Sequence, residues 1–116
     1  MRPERLYLQD IVEACDLIAA FTAGRSEAEF VGSELHKAAV LQKLAVIGEA
    51  AARLPSSFRA AHPTVEWRAM AGFRNIAVHA YFSVQWPIVW ATATHDVPVV
   101  RLQVLDILGR LASTSV

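Results

Sequence analysis

Residues 33–54 read SELHKAAVLQKLAVIGEAAARL. Leu35, Ala38/Ala39, Leu41, Leu44/Ala45, Ile47/Gly48, Ala51 and Leu54 recur at steps of three and four. That spacing lays an apolar stripe along one side of an α-helix. Pro55-Ser56-Ser57 ends it. Its alanines and Gly48 leave room for a second helix to approach closely. Upstream, Leu8, Ile11, Cys15, Ile18 and Phe21/Thr22 make another stripe over about Glu4–Thr22, with Gly24 as its stop. Arg25 to Gly32 reads as a loop or frayed turn. Downstream, a connector runs from Pro55 to Pro63, with a short turn around Phe58. Thr64 then caps a third helix over about Val65–Ala80. Ser83 caps a short fourth through Trp90, with Pro87 in its first turn, and Asp96 caps a fifth, with Pro98 in its first turn, ending near Leu111. The expected fold is all-α: an antiparallel up-down bundle of four main helices plus a short helix, one domain over residues 1–116.

The composition narrows the function. The 116 residues are 54% hydrophobic and 19% charged, enough apolar material to exclude disorder. An average soluble domain is roughly 45–50% apolar, so the excess points to an oligomer or partner interface. Eleven Lys+Arg balance 11 Asp+Glu. Zero net charge argues against gripping long nucleic acid by counterion release alone, but leaves room for a small basic cleft. No run approaches the roughly 18 apolar residues of a membrane span. The charged stretch Met1-Arg2-Pro3-Glu4-Arg5 holds no signal-peptide core. The single cysteine, Cys15, sits on an apolar stripe and reads as packing. Together these read as a cytoplasmic protein with no membrane contact. His36, His62 and His95 fall near helix ends or loops, and no Cys or second His stands at a ligand spacing, so no metal and no cofactor is expected.

One segment concentrates chemistry: Trp67-Arg68-Ala69-Met70-Ala71-Gly72-Phe73-Arg74-Asn75-Ile76-Ala77-Val78-His79-Ala80-Tyr81. At about 100° per residue, Arg74 and Tyr81 fall within about 20° of each other, and Asn75 and His79 within about 40°. The four polar groups are expected on one side of the helix, with Ile76 and Val78 facing elsewhere. His suits proton transfer near neutral pH. Arg carries a planar fork matched to phosphate oxygens. Tyr can stack on a base or donate its hydroxyl. These are the parts of metal-independent RNA cleavage, in which the ribose 2′-OH attacks the adjoining phosphate and charge builds on the phosphorane oxygens. Two copies facing across a two-fold axis would supply a base and an acid. Spacing alone more often marks a structural His–Tyr hydrogen-bond pair than a catalytic one.

Arg74-Asn75-Ile76-Ala77-Val78-His79-Ala80-Tyr81 resembles the Arg-x4-His-x-Tyr pattern of HEPN-domain ribonucleases. The segment Ala39 to Ala50, with Ile47-Gly48-Glu49-Ala50, is similar to the second helix of the HepT-like branch, and Trp67 to Asn75 resembles its tryptophan lead-in. The likeness extends over roughly Arg5–Leu108. It implies a HEPN-like helical homodimer that shares one cleft. It implies an RNA endonuclease toxin of a type II-like toxin–antitoxin pair, acting on tRNA or mRNA. It also implies a MntA-type nucleotidyltransferase antitoxin that transfers AMP to Tyr81. By the same likeness Arg74 and His79 are catalytic and Asn75 supports them. Glu49, as a buried partner of Arg74 or a bundle charge, and Arg68, beside the cleft, are supporting candidates. The spacer Ile76-Ala77-Val78 departs from the family, which commonly carries a basic residue there. The competing readings are a non-catalytic module that docks a nucleotidyltransferase or a nucleotide, and a structural dimer. Trp67, Trp86 and Trp90 read as core or interface before base-stacking surfaces.

Overall fold

The structure is a computed structural model that describes residues 2–83 and 85–114, with residues 79–83 and 114 described by their backbone. Helix α1 spans Glu4–Thr22 and buries Leu8, Ile11, Ala14, Cys15 and Ile18, one face at helical spacing. It stops where Gly24 takes a φ of 70°, a conformation that favours glycine.

The stretch expected as a loop contains a short helix, α2, Glu27–Val31. A reciprocal cap starts it. The Ser26 hydroxyl accepts from the Glu29 N–H at 3.1 Å, and the Glu29 carboxylate accepts from the Ser26 N–H at 2.9 Å. Its reward is Phe30, fully buried with its ring centroid 5.3 Å from that of Trp90 and 6.3 Å from that of Trp86. Helix α3, Glu34–Arg53, follows with Ser33 as its cap. It buries Val40, Leu41, Leu44 and Ile47 together with Gly48, Ala50 and Ala51. The connector after it forms one short helix, α4, Ser56–Ala61.

The single helix expected over 65–80 is two, α5 (Trp67–Ala71) and α6 (Phe73–Ser83), joined at Gly72. Thr64 does not cap it: the helix begins after Glu66. Trp67 fixes this start, its indole N–H donating to the His62 carbonyl at 2.9 Å. Helix α7, Trp86–Ala91, starts after Gln85 with Pro87 in its first turn. The side chain of Ser83, the expected cap, and all of Val84 lie outside the described residues.

Asp96 starts no new helix. Residues Thr92–Asp96 form one π-helical turn that runs directly into α8, Val97–Thr114. The Val97 N–H bonds to the Thr92 carbonyl five residues back. Pro98 explains the widening: it has no N–H to continue the regular ladder and its ring crowds the preceding turn.

Packing is antiparallel and up-down, as expected. Asp10 and Glu13 of α1 lie beside Lys43 and Val46 of α3, and Tyr7 beside Arg53, so the two run opposite ways. Arg101 of α8 pairs with Asp16 of α1, while Arg5 and Leu108 share the other end. Glu49 near the end of α3 meets Arg74 at the start of α6. Leu8, Ile11, Ile18, Val40, Leu44, Ile47 and Val104 are fully enclosed between α1, α3 and α8. Among the described residues there is no strand, and no helix is long and apolar enough to cross a membrane.

Candidate active site

The site is positioned by one close contact. Gly48 of α3 lies against the joint between α5 and α6. A Cβ there would sit 2.7 Å from the Arg74 backbone nitrogen, 3.0 Å from the Ala71 carbonyl oxygen and 3.1 Å from the Arg74 Cβ. Only glycine lets α3 and α6 meet at that depth. The next residue, Glu49, is thereby brought beside Arg74.

Arg74 donates from Nη1 to Glu49 Oε2 at 3.2 Å, and Arg53 donates from Nε to Glu49 Oε1 at 3.2 Å. One carboxylate thus takes two guanidiniums. The hydrogen bond from Arg74, and then that from Arg53, hold the Glu49 carboxyl below its ordinary range. The cluster is not buried: side-chain exposure is 48% for Arg74, 51% for Glu49 and 62% for Arg53. Glu49 is therefore the partner of Arg74 but in a solvated setting, not the buried one considered from sequence.

Helix α6 continues through Ser83, so positions 74, 75, 79 and 81 keep the register on which the spacing argument rests. Arg74 and Asn75 are exposed. The side chains of His79 and Tyr81 lie outside the described residues. Val78 does not face away: it is 61% exposed, one turn beyond Arg74 on the same surface. Ile76, by contrast, is half-buried against the core, as expected. Arg68 is exposed on α5, and among the described residues the ion pairs of Glu49 are with Arg53 and Arg74.

Arg53 is not among the site residues expected from the sequence. The structure puts it in the cluster, and the signal was available: Glu49 and Arg53 are an i,i+4 pair on one helix face. Trp67 and Trp86 are buried and Trp90 half-buried, so all three serve packing. Cys15 is buried too, and burial pushes its thiol up to about 12, which leaves it protonated and inert at neutral pH. Among the described residues, no three His, Cys, Asp or Glu side chains converge as a metal site would require.

A family model described as "Ribonuclease HepT-like" matches residues 11–107. The chain belongs to the HepT-like family. That stretch includes both Gly48-Glu49 and the whole Arg74–Tyr81 segment. A protein of Thermococcus cleftensis named "Probable ribonuclease HepT" is 38% identical over 97 residues, covering 84% of this chain and 88% of its own. One of Caldanaerobacter subterraneus subsp. tengcongensis, named "Putative RNase TTE0752", is 35% identical over 110 residues, covering 95% of this chain and 98% of its own. A relative in Methanocaldococcus jannaschii, named "Putative RNase MJ1380", is 33% identical over 103 residues, 89% of this chain and 94% of its own. No solved structure matches the chain. The all-α bundle is the HEPN-like architecture that the resemblance implied.

Proposed function

We propose that the protein is a metal-independent RNA endonuclease whose reacting groups are carried by α6. The observation that carries this reading is the exposed Arg74 guanidinium, seated by Gly48 and Glu49 in a chain of the HepT-like ribonuclease family. Arg74 holds the scissile phosphate through its N–H fork and stabilises the charge that develops as the 2′-oxygen bonds to phosphorus. His79 takes the 2′-OH proton. The P–O5′ bond then breaks, and the partner subunit's His79 returns a proton to the departing oxygen. Asn75 orients His79 or the phosphate. The products are a 2′,3′-cyclic phosphate and a 5′-hydroxyl.

Two copies are needed for acid and base together, so the working form is a homodimer with both α6 faces lining one cleft. Val78, apolar and exposed between Arg74 and Asn75, fits a surface that a second copy covers. In the cell the enzyme acts as the toxin of a toxin–antitoxin pair, on tRNA or mRNA. A MntA-type nucleotidyltransferase silences it by moving AMP from ATP to the Tyr81 hydroxyl, with release of pyrophosphate. The added phosphate brings negative charge and bulk beside Arg74 and excludes substrate.

The test uses protein purified without a nucleotidyltransferase. Wild type and His79→Ala are incubated with total RNA in EDTA and fragment ends are mapped. Cleavage by wild type alone, leaving cyclic phosphate ends, is expected. An unmodified dimer that leaves RNA intact overturns the assignment.

A further inference from the structure

A second feature adjoins the Glu49 cluster. The N-terminal part of α1 and the C-terminal part of α3 border an open surface cavity of about 210 Å³. Tyr7, Arg2 and Asp10 line it from one side, Glu49 and Arg53 from the other. Glu49 belongs both to this cavity and to the Arg74 contact, so the cavity opens directly beside the candidate active site.

Its chemistry is that of a nucleotide. Arg2, held by an ion pair to Asp10, lies over the Tyr7 ring with its guanidinium carbon 4.9 Å from the ring centroid. Guanidinium planes and aromatic rings are both surfaces on which unstacked RNA bases rest. Three arginines, Arg2, Arg53 and Arg74, face two carboxylates, Asp10 and Glu49, so the local balance is cationic on a chain of zero net charge. Arg53 and Arg74 each commit one N–H to Glu49 among the described contacts. An arginine carries five such donors, so both forks can also reach phosphate oxygens. Both guanidiniums bond the same carboxylate at 3.2 Å, so they stand together at one point of the surface. The motif spacer Ile76-Ala77-Val78 has no cation to add to them from α6 itself.

We propose that this α1–α3 cavity is an RNA subsite for the nucleotide adjoining the one cut, with Arg53 on its phosphate and its base against the Arg2–Tyr7 stack. The subsite rests on the RNA-cleavage reading and extends it: the enzyme reads at least one nucleotide beyond the scissile phosphate, on single-stranded RNA whose bases are free to splay.

The experiment measures binding in the His79→Ala background, so that substrate survives. Labelled oligoribonucleotides of two, four and six nucleotides are titrated by fluorescence anisotropy at several salt concentrations, with thermal melts for every variant. Arg53→Ala and Tyr7→Leu are expected to weaken binding of the longer strands at least about five-fold, the low end of one base–aromatic stack. The loss grows from two to six nucleotides. Arg53→Ala also flattens the slope of log K against log salt by about 0.7, one phosphate contact on a single strand. Tyr7→Phe, which keeps the ring, retains affinity. Arg25→Ala, at the opposite end of α1, is the charge control. If Arg53→Ala and Tyr7→Leu bind like Arg25→Ala while Arg74→Ala weakens every length, the subsite is overturned and the cleavage reading stands. If Arg74→Ala changes nothing at any length, the cleavage reading itself fails.

Discussion

Helix α3 carries a charged cluster near each end, and the two are built in opposite ways. Near its start, Lys37 is 8% exposed, its ammonium 4.6 Å from the Trp86 ring centroid and 2.9 Å from Glu34. Phe30 packs on the same tryptophan. Near its end, Arg53, Glu49 and Arg74 stand about half in water. The first cation is desolvated and enclosed by aromatic surface, so it joins α3 to α7 and has no face left for a ligand. The second cluster keeps its donors accessible. Burial, more than the presence of charge, separates a cation that holds the fold from one that can hold a phosphate.

The contrast can be broken most severely at Gly48. Gly48→Val forces α6 off α3, since even a lone Cβ would stand 2.7 Å from the Arg74 nitrogen. The expected result is loss of RNA cleavage with destabilisation of at least about 1–3 kcal/mol, the usual cost of overpacking. Circular-dichroism melts and the cleavage assay check it; an unaltered melt would mean the helices are not in contact there. Next in size is Lys37→Ala, expected to remove about 1–2 kcal/mol of stability through the lost ring contact and lost packing of its stem, with wild-type cleavage. A variant that melts normally yet fails to cut would erase the distinction between the two ends. Ser26→Ala should cost about 1 kcal/mol, the worth of a typical N-cap, by loosening α2 under Phe30. Urea titration measures it.

Glu49→Gln has the smallest effect on stability and a specific one on pH. Glu49 is held below its ordinary range by Arg74 and Arg53, so its favourable contact is fully present above the unfolded carboxylate range. It is lost as pH falls through the lower folded value. Wild type and Glu49→Gln should therefore melt alike at the acid end, with any advantage of wild type appearing only as pH rises towards neutrality. A difference that is constant across pH would show that Glu49 acts through packing instead of charge.

The long elements were legible because their stripes are uninterrupted. Leu8 to Ile18 and Val40 to Ala51 each hold helical spacing for several turns, and the ends of α1 and α3 carry Gly24 and Pro55. Among the short elements, α4 and α7 are announced by Pro55 and Pro87, whereas α2 is not. Helix α2 has only Phe30 to bury, so no periodicity announces it; its signature is the Ser26–Glu29 cap, which a pattern search for apolar stripes passes over. Asp96 has the pattern of a cap, with Pro98 placed for a first turn, whereas the chain widens its helix there and continues. In the site, the register of α6 and the need for glycine at 48 followed from local sequence. Val78 departs from the expected facing because it stands i+4 from Arg74 and shares its exposed side of the helix. The cavity flanking Arg53 was invisible for a different reason: Tyr7 and Arg53 are distant in sequence, and only antiparallel packing of α1 on α3 brings them together.

The π-helical turn at Thr92–Asp96 has a consequence for how the C-terminal half is phased. Its buried apolar positions step Val89, Ala93, Val97, two strides of four, before strides of three, four and three reach Val100, Val104 and Ile107. On a regular helix at about 100° per residue, two strides of four would carry the apolar side about 80° around the axis. The wide turn absorbs that drift, like a leap day in a calendar. Deleting one residue within it would leave every amino acid of α8 chemically intact and yet point the whole helix at the wrong neighbour.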